Sequence, residues 1–325
     1  MNSPRQGTMQ IAVEHYLQDR RRLGFDLTIA GQQLIRFARY ADEHGHRGPL
    51  TVDLQLDWAH ADRPDANPLT AARRLEVLRP FARYYRQFEP DSAIPDPRSF
   101  GPSHRRLTPH IYTEGEISDL LRQAGQLRPV SGLRPRTYQT LFGLIAATGL
   151  RLSEALRLHD ADVDLRDISH AFVTVHETKF KKSRLLPVHP TTADALYTYR
   201  EVRDRLAFLQ PGRCFFISSD GRALPKRTVD GVFAKLRDRL GWIARGGHPH
   251  PRIHDLRHTF AVRRMQLWQQ SELRVDDAMV SLCTYLGPAR ISDTYWYLTG
   301  VPDLLTPVAN RFERFACQTT EVIHE

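Results

Sequence analysis

The chain has 325 residues, of which 41% are hydrophobic and 26% are charged, so it can bury more than one core and has an ordinary globular composition. No run of about 18 apolar residues is present, and the first residues lack the layout of a secretory leader, so we expect neither a membrane span nor secretion. The formal net charge is +9, and an excess of basic residues of this size favours a polyanionic partner such as nucleic acid.

Cysteine usage indicates a reducing compartment. The chain has three widely spaced cysteines, which are Cys214, Cys283 and Cys317. An odd number without a Cys-x-x-Cys pair predicts neither a disulfide framework nor a zinc site. Asp160, Asp162 and Asp164 alternate along the chain, and we interpret them as turn residues rather than as metal ligands. We therefore expect a cytoplasmic protein with no metal and no cofactor.

The first segment, residues 1–88, is predicted to be helical throughout. Thr28 can cap its second helix, and Pro68 suits the first turn of a later one. In that later helix, apolar side chains alternate with Arg73, Arg74, Arg79, Arg83 and Arg86. We interpret Arg73, Arg79 and Arg83 as contacts to a DNA backbone. A solvated helix face with extended arginines explains the same pattern equally well.

A proline-rich segment predicts the boundary between two domains. Residues 89–109 contain five prolines, each of which disfavours helix at the residue before it, so this segment is predicted to be a linker. Residues 110–325 then form the second domain, which opens with the Thr-x-x-Glu spacing of a capping box at Thr113. A buried helix is predicted to end at Gly149.

Short apolar runs predict a small sheet in the second domain. Residues 172–175 and 185–188 flank a basic turn and predict a β-hairpin, and residues 214–217 are a further strand candidate. The predicted fold class is therefore mainly α with a small β-sheet (α+β).

Residues 252–261, with the sequence Arg-Ile-His-Asp-Leu-Arg-His-Thr-Phe-Ala, carry side chains suited to a phosphate. In a helix, His254, Arg257 and His258 fall at positions i, i+3 and i+4 and share one face. A guanidinium is a planar fork of donors that matches phosphate oxygens. A helix end with a surface arginine explains the same residues, so the segment alone leaves both interpretations open.

Residues 148–156, with the sequence Thr-Gly-Leu-Arg-Leu-Ser-Glu-Ala-Leu, place Arg151 after a glycine turn at the start of a helix. Free backbone N–H groups at a helix start also attract anions, and Glu154 can hold the guanidinium in one orientation. A local Arg–Glu pair worth about 0.2–0.5 kcal/mol is the simpler explanation.

The predicted hairpin turn is strongly basic. Four of the six residues from 179 to 184 are cations, which are Lys179, Lys181, Lys182 and Arg184. Charges at a hairpin tip can simply keep a sheet edge soluble.

Residues 148–156, called the first box below, and residues 252–261, the second box, together resemble the two conserved boxes of the tyrosine recombinases, the phage integrase family. Residues 286–297 are similar to the last segment of that family, where a Gly-His pair comes before the tyrosine nucleophile and the histidine lies nine residues from it. Counting from position 288 gives Tyr297; Tyr295 is the rival, and residues i and i+2 of a helix point apart. The family has His or Trp where this chain has Pro288, which offers no side-chain donor to the scissile phosphate.

This resemblance implies a site-specific recombinase or integrase that cuts and rejoins duplex DNA through a 3′-phosphotyrosine, without metal or ATP. The catalytic residues that it implies are Arg151, Lys179, His254, Arg257 and Tyr297. Lys179 would protonate the leaving 5′ oxygen, with Lys182 as the alternative. Glu154 and His258 are supporting residues.

The same resemblance implies further partners and contacts. Lys181 and Arg184 would contact DNA, and the helical first domain would be a core-binding domain that closes a clamp on the duplex. An assembly of two to four protomers on DNA, a mobile-element origin and a place at the nucleoid of a prokaryote are expected. After Tyr297, an apolar stripe predicts a tail helix.

Two other classes remain open from the sequence. A type IB topoisomerase-like enzyme would use the same residues without pairing two sites. A catalytically degenerate DNA-binding protein would bind DNA without forming a covalent adduct, and the substitution at Pro288 is the feature that favours it.

Overall fold

A computed structural model describes residues 8–61, 68–103, 107–176, 183–206, 214–270 and 275–287. The chain divides into two units, Met1–Arg106 and Leu107–Glu325, and the division falls inside the proline-rich segment. The predicted fold class, mainly α with a small sheet, is confirmed. In the part of the chain that the structure describes, no helix is long and apolar enough to cross a membrane.

The first unit is helical, as predicted. Its described elements are α1 (Met9–Arg22), α2 (Thr28–Glu43), α3 (Val52–His60) and α4 (Pro68–Tyr85). Their apolar faces meet in one core, where the ring of Tyr16 lies 5.6 Å from that of Phe81. The ring of Phe37 lies 5.2 Å from that of Trp58, which joins α3 to the same core.

Two boundaries of the first unit differ from the sequence prediction. Thr28 is the first residue of α2 rather than its cap, because Leu27 before it turns the chain in a left-handed conformation (φ 49°). The unit also continues past residue 88. The Ser92 hydroxyl accepts the Leu50 N–H at 3.1 Å, and the Ala93 N–H donates to the Leu50 carbonyl at 2.7 Å. The start of the proline-rich segment therefore packs on the first unit.

The second unit has helices around a small sheet. Its described elements are α5 (Glu114–Ala124), α6 (Leu133–Thr148), α7 (Leu152–Ala155), β1 (Val163–Asp164), β2 (Phe172–Val175), β3 (Arg184–Pro187), α8 (Pro190–Leu206), α9 (Lys226–Arg239), α10 (Ile253–Gln270) and α11 (Val275–Leu286). The buried helix α6 packs against α5, α8 and α10. Its side chains Leu141 and Ile145 and the α10 side chain Leu256 belong to one core.

The predicted hairpin is confirmed, because β2 pairs antiparallel with β3 and Val173 lies opposite Leu186. The short strand β1 adds to the other edge of β2. The predicted strand at residues 214–217 is wrong: only single bridges form there. Side chains satisfy this backbone instead, since the Tyr199 hydroxyl accepts the Ile217 N–H at 3.2 Å and Arg203 donates to the Phe215 carbonyl at 2.9 Å.

The capping box of α5 is confirmed. The Thr113 hydroxyl accepts the Glu116 N–H at 3.1 Å, and the Glu116 carboxylate accepts the Thr113 N–H at 2.8 Å. These two bonds satisfy backbone donors that the helix start leaves free.

The turn from α6 to α7 requires glycine. Gly149 has φ 65°, and a Cβ atom there would lie 2.7 Å from Phe260 of α10 and 2.9 Å from Leu286 of α11. The first box is thereby held against both C-terminal helices of the described chain.

Candidate active site

A buried carboxylate organises the first box. Arg151 precedes α7, and the Glu154 side chain is only 2% exposed. Glu154 accepts the Arg151 N–H at 2.9 Å through Oε2 and the Arg151 guanidinium at 2.7 Å through Oε1. Burial alone would raise the pKa of Glu154, but the bonds from Arg184 and Arg151 outweigh burial and lower it. Glu154 is therefore an ionised anchor that orients Arg151.

The Arg184 side chain lies largely inside the second unit, whereas the sequence suggested a DNA-facing position at the hairpin turn. Its side chain is 12% exposed, and its Nη2 donates to Glu154 Oε2 at 3.0 Å. Its Nε donates to the Tyr285 carbonyl at 2.9 Å, and a Cβ atom on Gly287 would lie 2.8 Å from its Nη1. These acceptors lie inside the second unit, so the structure gives no support to the predicted DNA contact of Arg184.

The start of α10 repeats the arrangement of the first box. Asp255 is fully buried and accepts the Arg252 N–H at 2.9 Å through Oδ2 and the Arg252 guanidinium at 2.7 Å through Oδ1. The Tyr112 hydroxyl donates to the Arg252 carbonyl at 3.0 Å. His254, between the two, is thus carried by a fixed helix start.

The three phosphate-binding candidates of α10 are neighbours, but they differ in exposure. His254 is exposed, whereas Arg257 and His258 are buried. The three side chains therefore do not share one accessible face as expected. Because α10 packs against α6 and α11, Arg257 and His258 point into the second unit. Arg257 donates to the Gly149 carbonyl at 2.6 Å and to the Leu286 carbonyl at 2.9 Å, so it connects the first box to the end of α11.

Both histidines are held in the neutral form. Although His254 is partly reached by solvent, the surrounding protein atoms exclude much of the water that would stabilise its charged form. This desolvation, followed by the charges of Arg257 and Arg252, lowers the pKa of His254 to about 4. Burial, followed by the neighbouring His254 and Arg252, lowers the pKa of His258 to about 3. The two rings meet edge-on with centroids 4.8 Å apart. At neutral pH, His254 can therefore accept a proton.

Arg151 and His254 open into one cleft of about 440 Å³. Lys226 at the start of α9, Asp230 and Arg252 line the same cleft, and Lys226 Nζ lies 2.7 Å from Asp230 Oδ2. Lys226 could not be identified from the sequence, because no motif spacing marks it. The fold alone brings the Lys226 cation into the cleft beside Arg151 and His254.

Several predicted site residues lie outside the described residues, namely Lys179, Lys181, Lys182, Pro288, Tyr295 and Tyr297.

In α4 of the first unit, Arg73 and Arg83 are exposed and Arg79 is partly buried. Arg74 instead donates to three carbonyls at the end of α3. The three arginines predicted to contact DNA thus remain a prediction.

The alternating aspartates each have a partner inside the fold. Asp160 pairs with Arg203 at 2.7 Å, and Asp162 accepts the His159 N–H at 2.8 Å. Asp164 pairs with Arg166. Among the residues that the structure describes, no group of three or more His, Cys, Asp or Glu side chains could hold a metal ion.

Comparisons with known proteins point to one family for this chain. The pattern of the phage integrase family matches residues 113–270. The chain is 38% identical over 300 residues to "Putative integrase/recombinase y4rE" of Sinorhizobium fredii, covering 92% of this chain and 94% of that relative. It is 27% identical over 308 residues to tyrosine recombinase XerD of Brucella abortus, covering 91% and 89%.

The same fold occurs in the solved structure of the XerH site-specific recombinase bound to palindromic difH substrate. The TM-score is 0.65 at 17% sequence identity, over 94% of this chain and 85% of that one. The chain belongs to the phage integrase family and is a tyrosine-type recombinase, as its motifs predicted.

Proposed function

We propose that the protein is a site-specific recombinase that cuts and rejoins duplex DNA through a 3′-phosphotyrosine. The observation that carries this proposal is the cleft that Arg151 and His254 share, with Arg151 held by a buried carboxylate. A fixed guanidinium beside a neutral imidazole suits phosphoryl transfer, because one stabilises charge on the phosphate while the other moves a proton. Family membership supports the same activity.

In the proposed first step, the Tyr297 hydroxyl attacks the scissile phosphorus. A tyrosine ionises near pH 10, so His254 takes its proton as the Oη–P bond forms. The bond from phosphorus to the 5′ oxygen breaks, and Lys179 protonates that oxygen to a free hydroxyl. A second 5′-hydroxyl then attacks the phosphotyrosine and reverses the chemistry, which conserves the bond energy.

The two arginines have different proposed roles. Arg151 faces the cleft, so it can hold a non-bridging oxygen directly. Arg257 is 1% exposed and donates to the carbonyls of Gly149 and Leu286. Its contact with the phosphate requires that DNA binding exchange a carbonyl acceptor for a phosphate oxygen. The cleft also holds the cations Lys226 and Arg252, which would favour the flanking phosphates.

We further propose that the two units clamp one duplex and that two to four protomers assemble on DNA. Arg73, Arg79 and Arg83 of α4, with Lys181 in the hairpin turn, are the proposed backbone contacts. The Tn1549 transposon integrase bound to its transposon end shares the fold, which fits a mobile-element role.

The test is covalent trapping on a suicide duplex with a nick beside the scissile phosphate. Tyr297→Phe should abolish the protein–DNA adduct and leave DNA affinity unchanged, because only the nucleophilic oxygen is removed. Tyr295→Phe is the matched control and should form the adduct. Adduct formation by Tyr297→Phe together with its loss in Tyr295→Phe would move the nucleophile by two residues.

The other two classes give different outcomes. A degenerate DNA-binding protein would bind the duplex and form no adduct with any variant. A topoisomerase-like enzyme would form the adduct and relax supercoils, but it would not join two sites on a paired-site substrate. Recombinant product from two sites would support the proposed function over both.

A further inference from the structure

We propose that Arg184 is a positioning residue that neutralises Glu154 so that the charge of Arg151 stays available to the DNA phosphate. This inference rests on the proposed function. It gives Arg184 a role that involves no contact with DNA, and it connects three segments that are distant in sequence.

The first support is the charge balance around Glu154. Its two oxygens accept from the Arg151 N–H, the Arg151 guanidinium and two nitrogens of Arg184, at 2.7 to 3.4 Å. One buried negative charge is thus shared by two positive charges, which leaves one net positive charge. The Arg151 side chain is 31% exposed and that of Arg184 12%, so Arg151 is the member that faces solvent.

Without Arg184, the same carboxylate would be balanced by Arg151 alone. The pair would then be neutral, and a phosphate oxygen would have to compete with Glu154 for one guanidinium. An unbalanced interior carboxylate attracts its remaining partner strongly, since few water molecules screen it. Arg184 therefore maintains the attraction of the first box for an anion.

The second support is the contact of Arg184 with the end of α11. Its Nε donates to the Tyr285 carbonyl at 2.9 Å, and its guanidinium packs on Gly287, where a Cβ atom would lie 2.8 Å away. Gly287 directly precedes Pro288, the first residue of the segment that carries Tyr297. A single guanidinium thus fixes the carboxylate of the first box and the chain that leads to the nucleophile.

The experiment measures single-turnover covalent attachment at saturating DNA, together with DNA affinity and Tm. Arg184→Gln should slow attachment about tenfold, the size expected when one coupled charge is lost, with DNA affinity nearly unchanged. In a Glu154→Gln background, loss of Arg184 should slow attachment less, because the carboxylate it neutralises is gone. Equal losses in both backgrounds would overturn the inference.

Arg166→Gln is the matched control, because Arg166 also pairs with a carboxylate of the second unit, that of Asp164, but its side chain is 88% exposed. It should attach at the wild-type rate. If Arg184→Gln is too unstable to assay, Arg184→Lys keeps the charge but replaces with one nitrogen the separate nitrogens that donate to Glu154 and to the Tyr285 carbonyl. Attachment by folded Arg184→Lys at the wild-type rate would contradict the bridging role.

Three further outcomes distinguish a positioning role for Arg184 from a direct DNA contact, from a failure of the proposed function and from no role in attachment. A fall in DNA affinity and in its salt dependence, with an unchanged attachment rate, would make Arg184 a direct DNA contact and overturn the inference. If the wild type forms no adduct, the proposed function itself fails. If the wild type forms the adduct and Arg184→Gln attaches equally fast, only the role of Arg184 fails.

Discussion

His258 shows how the interior of the site controls a titratable side chain. It lies one helical turn after His254, it is buried, and its pKa falls to about 3. The unfolded chain would ionise this imidazole near its ordinary value of about 6.5. Between these two values the unfolded state binds the extra proton, so the neutral ring stabilises the fold fully above about pH 6.5 and less as the pH falls toward 3.

The first prediction is therefore a loss of stability in mild acid. The Tm should fall as the pH is lowered from about 7 to about 5, and His258→Gln should flatten this dependence, because Gln cannot take up the proton. Thermal unfolding at each pH measures the slope. The control is His170→Gln, whose ring is 84% exposed and which should keep the wild-type slope. A slope that His258→Gln leaves unchanged would contradict the prediction.

At the scale of elements, the turn between α6 and α7 joins the parts of the site. Gly149 allows this turn to touch Phe260 of α10 and Leu286 of α11, and its carbonyl accepts from Arg257. Any side chain here would strain the backbone and push two helices away. The position of Arg151, two residues later, therefore depends on the absence of a single Cβ atom.

Gly149→Ala should lower the free energy of unfolding by about 1–3 kcal/mol, from the positive φ and the crowding together. Urea unfolding measures this change. Gly231→Ala is the matched control, because Gly231 lies within α9 and nothing lies within 4 Å of a Cβ atom there. That variant should be as stable as the wild type or more stable. Equal stability of the two variants would show that the turn tolerates a side chain.

The elements with local signals were predictable from the sequence, and those that depend on distant partners were not. The capping box at Thr113, the hairpin and the stop at Gly149 each rest on a few adjacent residues. By contrast, Arg184 was predicted at a basic surface, and only the fold brings Glu154 and the Tyr285 carbonyl to it. In α8, Arg203 is a buried charge within an otherwise apolar pattern. Its burial is possible because Asp160 and Asp204 balance its charge.

The same division holds within the candidate site. The motifs identified Arg151 and His254, which the structure brings to one cleft. The inward position of Arg257 could not be predicted, because its acceptors are carbonyls from segments more than 25 residues away. Lys226 carries no motif at all, so the sequence offered no reason to choose it among 46 basic residues.

At the scale of the whole molecule, the positive charge determines how strongly the affinity for DNA should depend on salt. The net charge is +9, and the exposed face of α4 adds Arg73 and Arg83 to the cations of the cleft. Each phosphate that is neutralised releases counterions, so affinity should depend steeply on salt.

Raising salt from about 50 to about 200 mM should weaken duplex binding about a hundredfold or more. Fluorescence anisotropy at several salt concentrations gives the slope. Replacing both Arg73 and Arg83 with Gln should reduce that slope by about 1 to 2, whereas Arg122→Gln, at an exposed Arg–Asp pair of α5, should not change it. A flat salt response of the wild type would exclude the clamp.

The contacts just before α5 determine where an independent catalytic fragment can begin. The family pattern starts at residue 113, but Thr108 accepts the Gly247 N–H through both its carbonyl and its hydroxyl at 2.9 Å. The buried His110 accepts the Arg245 N–H at 3.2 Å. An expression fragment cut at Thr113 would expose the loop that leads into α10 and loosen the helix that carries His254. A fragment that begins at Leu107 retains both contacts.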